Sequence, residues 1–191
     1  MSELSFAVFE TAIGACAIVW SARGIAGVQL PQANEAATRA RVSRRYPGVR
    51  EAAPPPAVRD AIDGVTALLR GERRDLTAIV IDDSDIPAFN RRVYAVVRQI
   101  PPGATMTYGE VAERLGDKTL ARAVGQAMGE NPTPIVMPCH RVLAAGGKTG
   151  GFSAPGGAVT KLQLLTIEGA QPGGPTLFAH LPLQAAVRRR A

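Results

Sequence analysis

Around Asp82-Asp83-Ser84-Asp85 and Pro87 this chain changes the period at which its apolar residues recur, and that change constrains the fold more than any other feature. Before it, Phe6-Ala7-Val8-Phe9-Glu10, Ala15 to Trp20 and Gly24 to Leu30 are short apolar runs broken by turn residues, which predicts strands. Asn34 predicts an N-cap for a helix to about Arg45, closed by Pro47-Gly48. Pro54-Pro55-Pro56 leads into a helix with Val58, Ile62, Val65 and Leu69 on one face, and Leu76 to Ile81 reads as a returning strand. After the acidic segment the period is helical: Phe89, Val93, Val96, Val97 and Ile100 mark one amphipathic helix, ended by Pro101-Pro102-Gly103. The expected architecture is an α/β domain with a small sheet over residues 1–84 and a mainly α domain over 85–175. A basic tail over 176–191 follows, with Asp82–Pro87 as the linker.

Within the second half, Thr107-Tyr108-Gly109-Glu110 has capping-box spacing: Thr107 can accept from the third helical amide while Glu110 reaches back. That helix is expected to end near Gly116. Another is expected from about Thr119 to Glu130, with Leu120, Val124, Ala127 and Met128 buried. Two helices joined by a short turn predict a helix-turn-helix. Residues 146–157 hold six glycines, too many for regular structure, and contain neither a P-loop nor a dinucleotide fingerprint. Val159 to Glu168 predicts a last helix, with Gly169 as its C-cap.

Charge is split as unevenly as pattern. Residues 1–85 carry 10 Lys/Arg and 11 Asp/Glu, whereas residues 86–191 carry 12 against 5, a net of +7. A basic half beside a near-neutral one suits a polyanion, most often nucleic acid; a solvated basic surface is the plainer alternative. Two cysteines and two histidines are too few for a Cys-rich zinc module, and no metal is expected. Free thiols, an acidic N-terminus without the basic start of a signal peptide, and no apolar run of membrane-span length predict a cytoplasmic, non-membrane protein, expected as a monomer.

One cysteine and one histidine stand side by side in Pro138-Cys139-His140-Arg141-Val142. A thiol becomes a good nucleophile only as thiolate, and a nearby base or cation lowers its pKa. Adjacent side chains diverge on helices and strands alike, so adjacency alone does not make a catalytic pair. The second cysteine, Cys16, lies in an apolar run with Ile18 and Trp20 and reads as a small buried hydrophobe.

In this order, Thr107-Tyr108-Gly109-Glu110-Val111-Ala112, Arg122 to Met128, Asn131-Pro132, Pro138 to Val142 and Leu164 to Gly169 resemble the O6-alkylguanine-DNA alkyltransferases, the methylated-DNA–protein-cysteine methyltransferases. The likeness is specific from Phe89 to Gly169; over residues 4–81 it is a matter of element order. It implies a ribonuclease H-like first domain and direct-reversal repair of double-stranded DNA. The alkyl group of O6-alkylguanine would pass irreversibly to Cys139, once per molecule and without a cofactor.

By the same resemblance, His140 acts as base through a water and Glu168 orients it. Tyr108 donates to the guanine, and Asn131 braces the turn behind the thiol. Val142, Ser153, Phe152, Pro134, Met128 and Gly150 surround the base. Arg122 fills the stack vacated by the flipped nucleotide, while Thr107, Ala121 and Gly125 help bring this helix pair against the minor groove. A surface ion pair with Glu130 or Asp117 is the plain alternative for Arg122.

One departure stands out. The family commonly runs aromatic-Ser-Gly-Gly into the last helix, whereas this chain has Phe152-Ser153-Ala154-Pro155-Gly156-Gly157, two residues longer. Two other readings remain open on residue chemistry alone. One is a cysteine hydrolase or acyltransferase using Cys139, His140 and Glu168, which leaves the basic half and Arg122 without a role. The other is a non-enzymatic lesion binder or helix-turn-helix regulator, for which base-reading side chains along the second helix are few.

Overall fold

The structure, a computed structural model, describes residues 3–170. Strands form where the apolar runs predict them: β1 (Ser5–Phe9), β2 (Cys16–Ser21) and β3 (Gly24–Gln29). Gly14, at φ 114°, makes the turn that reverses β1 into antiparallel β2, and the Thr11 hydroxyl donates to its carbonyl. All six residues of β2 are buried because the strand is covered on both faces. Cys16, Ile18 and Trp20 meet Val58, Val65, Leu68 and Leu69 of α2 (Pro56–Leu69), while Ala17 and Val19 meet Val42 of α1 (Glu35–Arg45). Each large side chain so buried contributes about 1.5–3 kcal/mol.

Asn34 caps α1 as expected, its Oδ1 accepting from the Ala37 amide at 2.8 Å. Thr38 fixes α1 on the sheet by donating to the Ala15 carbonyl at 3.1 Å, and Arg39 pairs with Glu35 and Glu51. Glu51 belongs to β4 (Arg50–Glu51), a two-residue strand that runs parallel to β1 and that the sequence pattern did not announce. The sheet order is β3-β2-β1-β4.

Leu76 to Ile81 does not form the strand that its β-branched run predicts. Its contact with the sheet is a single bridge between Ile25 and Ile81, with the Ile25 amide donating to the Val80 carbonyl at 2.9 Å. The reason is local competition. Asp75 accepts from the Thr77 amide at 2.8 Å and starts a turn, and the Arg98 guanidinium collects the carbonyls of Leu76, Thr77 and Ile79 that a ladder would have used.

The acidic segment expected as a linker is clamped to the sheet. Asp82 accepts from the Ser21 hydroxyl at 2.5 Å, Arg23 Nε at 3.0 Å and the Ser84 hydroxyl at 2.7 Å. Burial opposes its charge, but these donors hold its carboxyl well below the ordinary range.

The second half is helical: α3 (Ala88–Val97), α4 (Tyr108–Arg114), α5 (Ala121–Gly129) and α6 (Ala158–Ile167). The Thr107–Glu110 capping box is complete. A 3₁₀ turn over Lys118–Leu120, capped by Asp117, replaces the expected first turn of the following helix. The parallel pair β5 (Met106–Thr107) and β6 (Val142–Leu143) ties the start of α4 to the segment after Cys139. Val93, Tyr94, Val97, Val111, Val124, Ala127 and Met137 form the core of this half. Ile135, Val136 and Leu164 cross into the core under the sheet, so the halves pack on each other through the chain that carries the cysteine. The expected basic tail over 176–191 and His180 lie outside the described residues.

Candidate active site

The thiol is presented by a wound loop between α5 and β6. Asn131 organises it: its Oδ1 accepts from the Thr133 amide at 2.9 Å, and its Nδ2 donates to the Met137 carbonyl at 2.9 Å and to Cys139 Sγ at 3.1 Å. The path between requires Ile135 at φ 75°, a conformation that costs a β-branched residue about 1–3 kcal/mol. Ile135 is 1% exposed in the first core, and its burial offsets that strain. Cys139 opens a 3₁₀ turn over Cys139–Arg141 and is 6% exposed. Burial pushes its thiol pKa up; the Asn131 amide, the Lys161 ammonium and the backbone N–H groups of Cys139 and His140 pull it down.

His140 is fully buried and its ring reaches Glu168, with Nε2 2.9 Å from Oε1. Glu168 sits at the C-terminal end of α6, where the helix dipole disfavours a carboxylate. Arg141 compensates: its Nε donates to Oε2 at 2.8 Å and one Nη donates to Oε1 at 2.7 Å, while the other holds the Ile100 carbonyl at 2.5 Å. Burial raises the Glu168 pKa, but His140 and Arg141 outweigh it and bring it down to about 2. The imidazole is held below its ordinary value, first by burial and against the pull of Glu168. A neutral imidazole donating Nε2–H to an ionised Glu168 leaves a lone pair on Nδ1, and that atom is buried without a protein partner.

Lys161 was not singled out by sequence reasoning. It is 0% exposed, donates to the Val142 carbonyl at 2.6 Å, and lies 5.8 Å from the Tyr108 ring centroid. Burial lowers its pKa to about 8 against the opposing pull of Cys139. A signal existed: Lys161, Leu164, Leu165 and Glu168 follow i, i+3, i+4, i+7 spacing, so a lysine occupies the apolar stripe of α6. Arg141 lies in the same motif, and its pairing with Glu168 is visible only in three dimensions.

A cleft of about 600 Å³ leads to the thiol, walled by Tyr108, Ala121, Arg122, Gly125, Met128 and Phe152, with Ser153 at its rim. Gly150, at φ 67°, packs against Tyr108 so closely that a Cβ there would stand 3.3 Å from the ring. Arg122 is exposed and has no carboxylate partner among the described residues; Asp117 is engaged with Thr119, and Glu130 with Asn90 and Gln126. Ser153 donates to the Gly129 carbonyl at 3.1 Å, which draws the longer loop across to α5. The Thr107 side chain is committed to its capping box, and the Val142 side chain is buried. A second cleft of about 230 Å³ is also bordered by Cys139, and its walls include Pro134, Ser153, Ala154 and, from α1, Arg41 and Arg45. A larger cleft of about 630 Å³, bordered by Tyr46, Asp82, Tyr94 and Glu130, has neither cysteine among its walls. Among the described residues no cluster could hold a metal ion, and no helix is long and apolar enough to cross a membrane.

A buried Cys–His–Glu set beside an open cleft and an exposed arginine defines a thiol-based group-transfer protein. Comparisons with known proteins name the group. Residues 88–170 match the family described as "6-O-methylguanine DNA methyltransferase, DNA binding domain". The methylated-DNA–protein-cysteine methyltransferase of Methanothermobacter thermautotrophicus is 38% identical over 124 residues, 65% of this chain and 68% of that protein. The one from Mycolicibacterium paratuberculosis is 43% identical over 126 residues, 65% of this chain and 73% of its own length. Among solved structures, Mycobacterium tuberculosis OGT in complex with DNA superposes with a TM-score of 0.70 at 29% identity, covering 86% of this chain and 92% of that one. The O6-methylguanine-DNA methyltransferase of Pyrococcus kodakaraensis gives 0.65 at 25% identity, covering 87% and 99%. The chain belongs to the methylated-DNA–protein-cysteine methyltransferase family.

Proposed function

We propose that the protein repairs O6-alkylguanine in double-stranded DNA by moving the alkyl group to Cys139, once per molecule. The observation that carries this reading is the orphaned Nδ1 of His140, buried beside the cysteine with Nε2 tied to Glu168. A water bridging Nδ1 and Sγ would take the thiol proton, which reconciles a Cys-His neighbour pair with side chains that diverge. Arg141 and Glu168 keep the imidazole in the tautomer this requires. Lys161, the Asn131 amide and two backbone N–H groups favour the thiolate electrostatically. The thiolate then attacks the alkyl carbon in line with the departing O6, and the proton returns to the guanine. Tyr108, whose hydroxyl burial keeps protonated, donates to the ring as it leaves.

The lesion enters the cleft as a flipped nucleotide. α4 and α5 act as a helix-turn-helix against the minor groove, Arg122 filling the vacated stack, with Ala121 and Gly125 small enough for close backbone approach. Thr107 fixes the start of α4. Phe152, Met128 and Gly150 shape the base pocket, Pro134 lines the adjoining cleft beside the thiol, and Ser153 and Val142 offer polar backbone at the edges. Residues 1–84 form a ribonuclease H-like domain that supports the acceptor loop from behind, residues 85–175 form the reacting and DNA-binding domain, and a basic tail follows from 176. The protein works in the cytoplasm as a monomer and needs no cofactor. Intact-mass spectrometry after incubation with duplex O6-methylguanine tests the reading. One methyl equivalent per chain, mapped to Cys139, is expected; unmodified protein with released methanol, or binding without transfer, overturns it.

A further inference from the structure

We infer that Arg41 and Arg45 give this protein a preference for O6-alkyl groups that end in a negative charge, such as carboxymethyl. The inference rests on the alkyl-transfer reading above. The cleft walled by Tyr108, Arg122 and Gly125 receives the base, so O6 approaches the sulfur from that side. In-line attack places oxygen, carbon and sulfur on one axis, and any substituent on that carbon must project sideways. The second cleft also borders the sulfur, and its walls include Pro134, Ser153 and Ala154 of the longer loop, Arg41 and Arg45.

Those arginines are placed by the fold rather than scattered. Thr38 and Val42 pin α1 to the sheet, and the Arg39 pairs with Glu35 and Glu51 fix its outer face. Arg41 and Arg45, four residues apart, therefore project together along one flank. Among the described residues neither has a carboxylate within ion-pair distance; Arg45 lies over the neighbouring Tyr46 ring, 5.5 Å from its centroid. Two guanidiniums in the wall of a cleft that the acceptor thiol also borders match a carboxylate in charge and in bidentate geometry. A methyl group has no charge to offer them.

The transfer balances without a further reactant. The thiolate pair forms the S–CH2 bond, the C–O6 pair leaves with guanine, and guanine takes up the proton the thiol gave to His140. The product is S-carboxymethylcysteine, its carboxylate facing the arginines.

The test compares full-length protein with the Arg41→Ala/Arg45→Ala double variant on three duplexes carrying O6-methyl-, O6-carboxymethyl- and the neutral O6-carbamoylmethylguanine. The double variant should lose about tenfold or more in rate on the carboxymethyl adduct and stay within about twofold on the other two, the size expected of a partly exposed charge pair. Equal loss on all three adducts would assign the arginines to DNA phosphates and overturn the inference. Wild-type protein that takes methyl but not carboxymethyl overturns it as well, while leaving the repair reading intact. Failure on methyl itself strikes the repair reading instead.

Discussion

Arg141 grips both carboxylate oxygens of Glu168 at 2.8 and 2.7 Å, and so holds ionised the carboxylate that the preceding residue, His140, faces. Without that fork Glu168 would be a buried carboxylate at a helix C-terminus facing a neutral imidazole. Arg141→Met should therefore cost about 3–5 kcal/mol in urea unfolding at pH 7, the usual result of removing one partner from a buried pair. A loss under about 1 kcal/mol would mean that the pair is solvated and has no hold on the imidazole.

The acid limb of stability follows from Glu168. Its folded pKa of about 2 lies below its ordinary 4.5, so the folded state holds this carboxylate charged where the unfolded chain protonates it. The stabilisation is complete above about pH 4.5 and is lost as pH falls toward 2. Glu168→Gln should be less stable at pH 7 and should show a flatter decline between pH 4.5 and 2.5. Parallel declines for the two proteins in that window would contradict the assignment.

Lys161 predicts a reactivity profile. With a pKa of about 8 it is charged at neutral pH and favours the thiolate, and it loses that effect as pH rises through 8. Lys161→Met should react with free O6-benzylguanine about tenfold more slowly at pH 7, because the thiol is then less readily ionised. The two proteins should converge above about pH 9, where the wild-type lysine is neutral. A constant ratio across the range would show that the lysine acts only by packing.

Arg122 is exposed and has no carboxylate partner among the described residues, which suits a group held ready for DNA and makes it dispensable for the thiol. Arg122→Ala should leave the rate with free O6-benzylguanine within about twofold, yet slow repair in duplex DNA by tenfold or more. Equal loss with both substrates would remove the nucleotide-flipping role.

Gly150 faces a double demand, a left-handed backbone and a Tyr108 ring that leaves 3.3 Å for a Cβ. Gly150→Ala should cost about 1–2 kcal/mol and slow alkyl transfer by displacing Tyr108. Retained Tm with retained rate would show that the loop accommodates the methyl group freely.

Much of this was legible in the chain because the determinants are local. Asn34, the Thr107–Glu110 box and Gly169 set helix ends within one turn of themselves, and a continuous apolar run marks β2, whose two faces are both covered. What escaped depends on partners far along the chain. Leu76 to Ile81 has a strand's composition, but a guanidinium from α3 takes its carbonyls. Asp82 looks like linker and becomes a clamp only when Ser21 and Arg23 arrive from the sheet. At the site, Cys139, His140 and Glu168 were identifiable by motif, whereas Arg141 and Lys161 gain meaning from one bidentate contact and one buried position.

Cys16 is wholly buried, and burial pushes its thiol up to about 12. Of the two thiols in the molecule, one is therefore silent toward electrophiles and the other is spent at its first encounter. Each chain then behaves as a dosimeter with a single mark: the fraction of alkylated protein records the number of lesions met. Repair capacity scales with the amount of protein made and is insensitive to how fast any one molecule reacts.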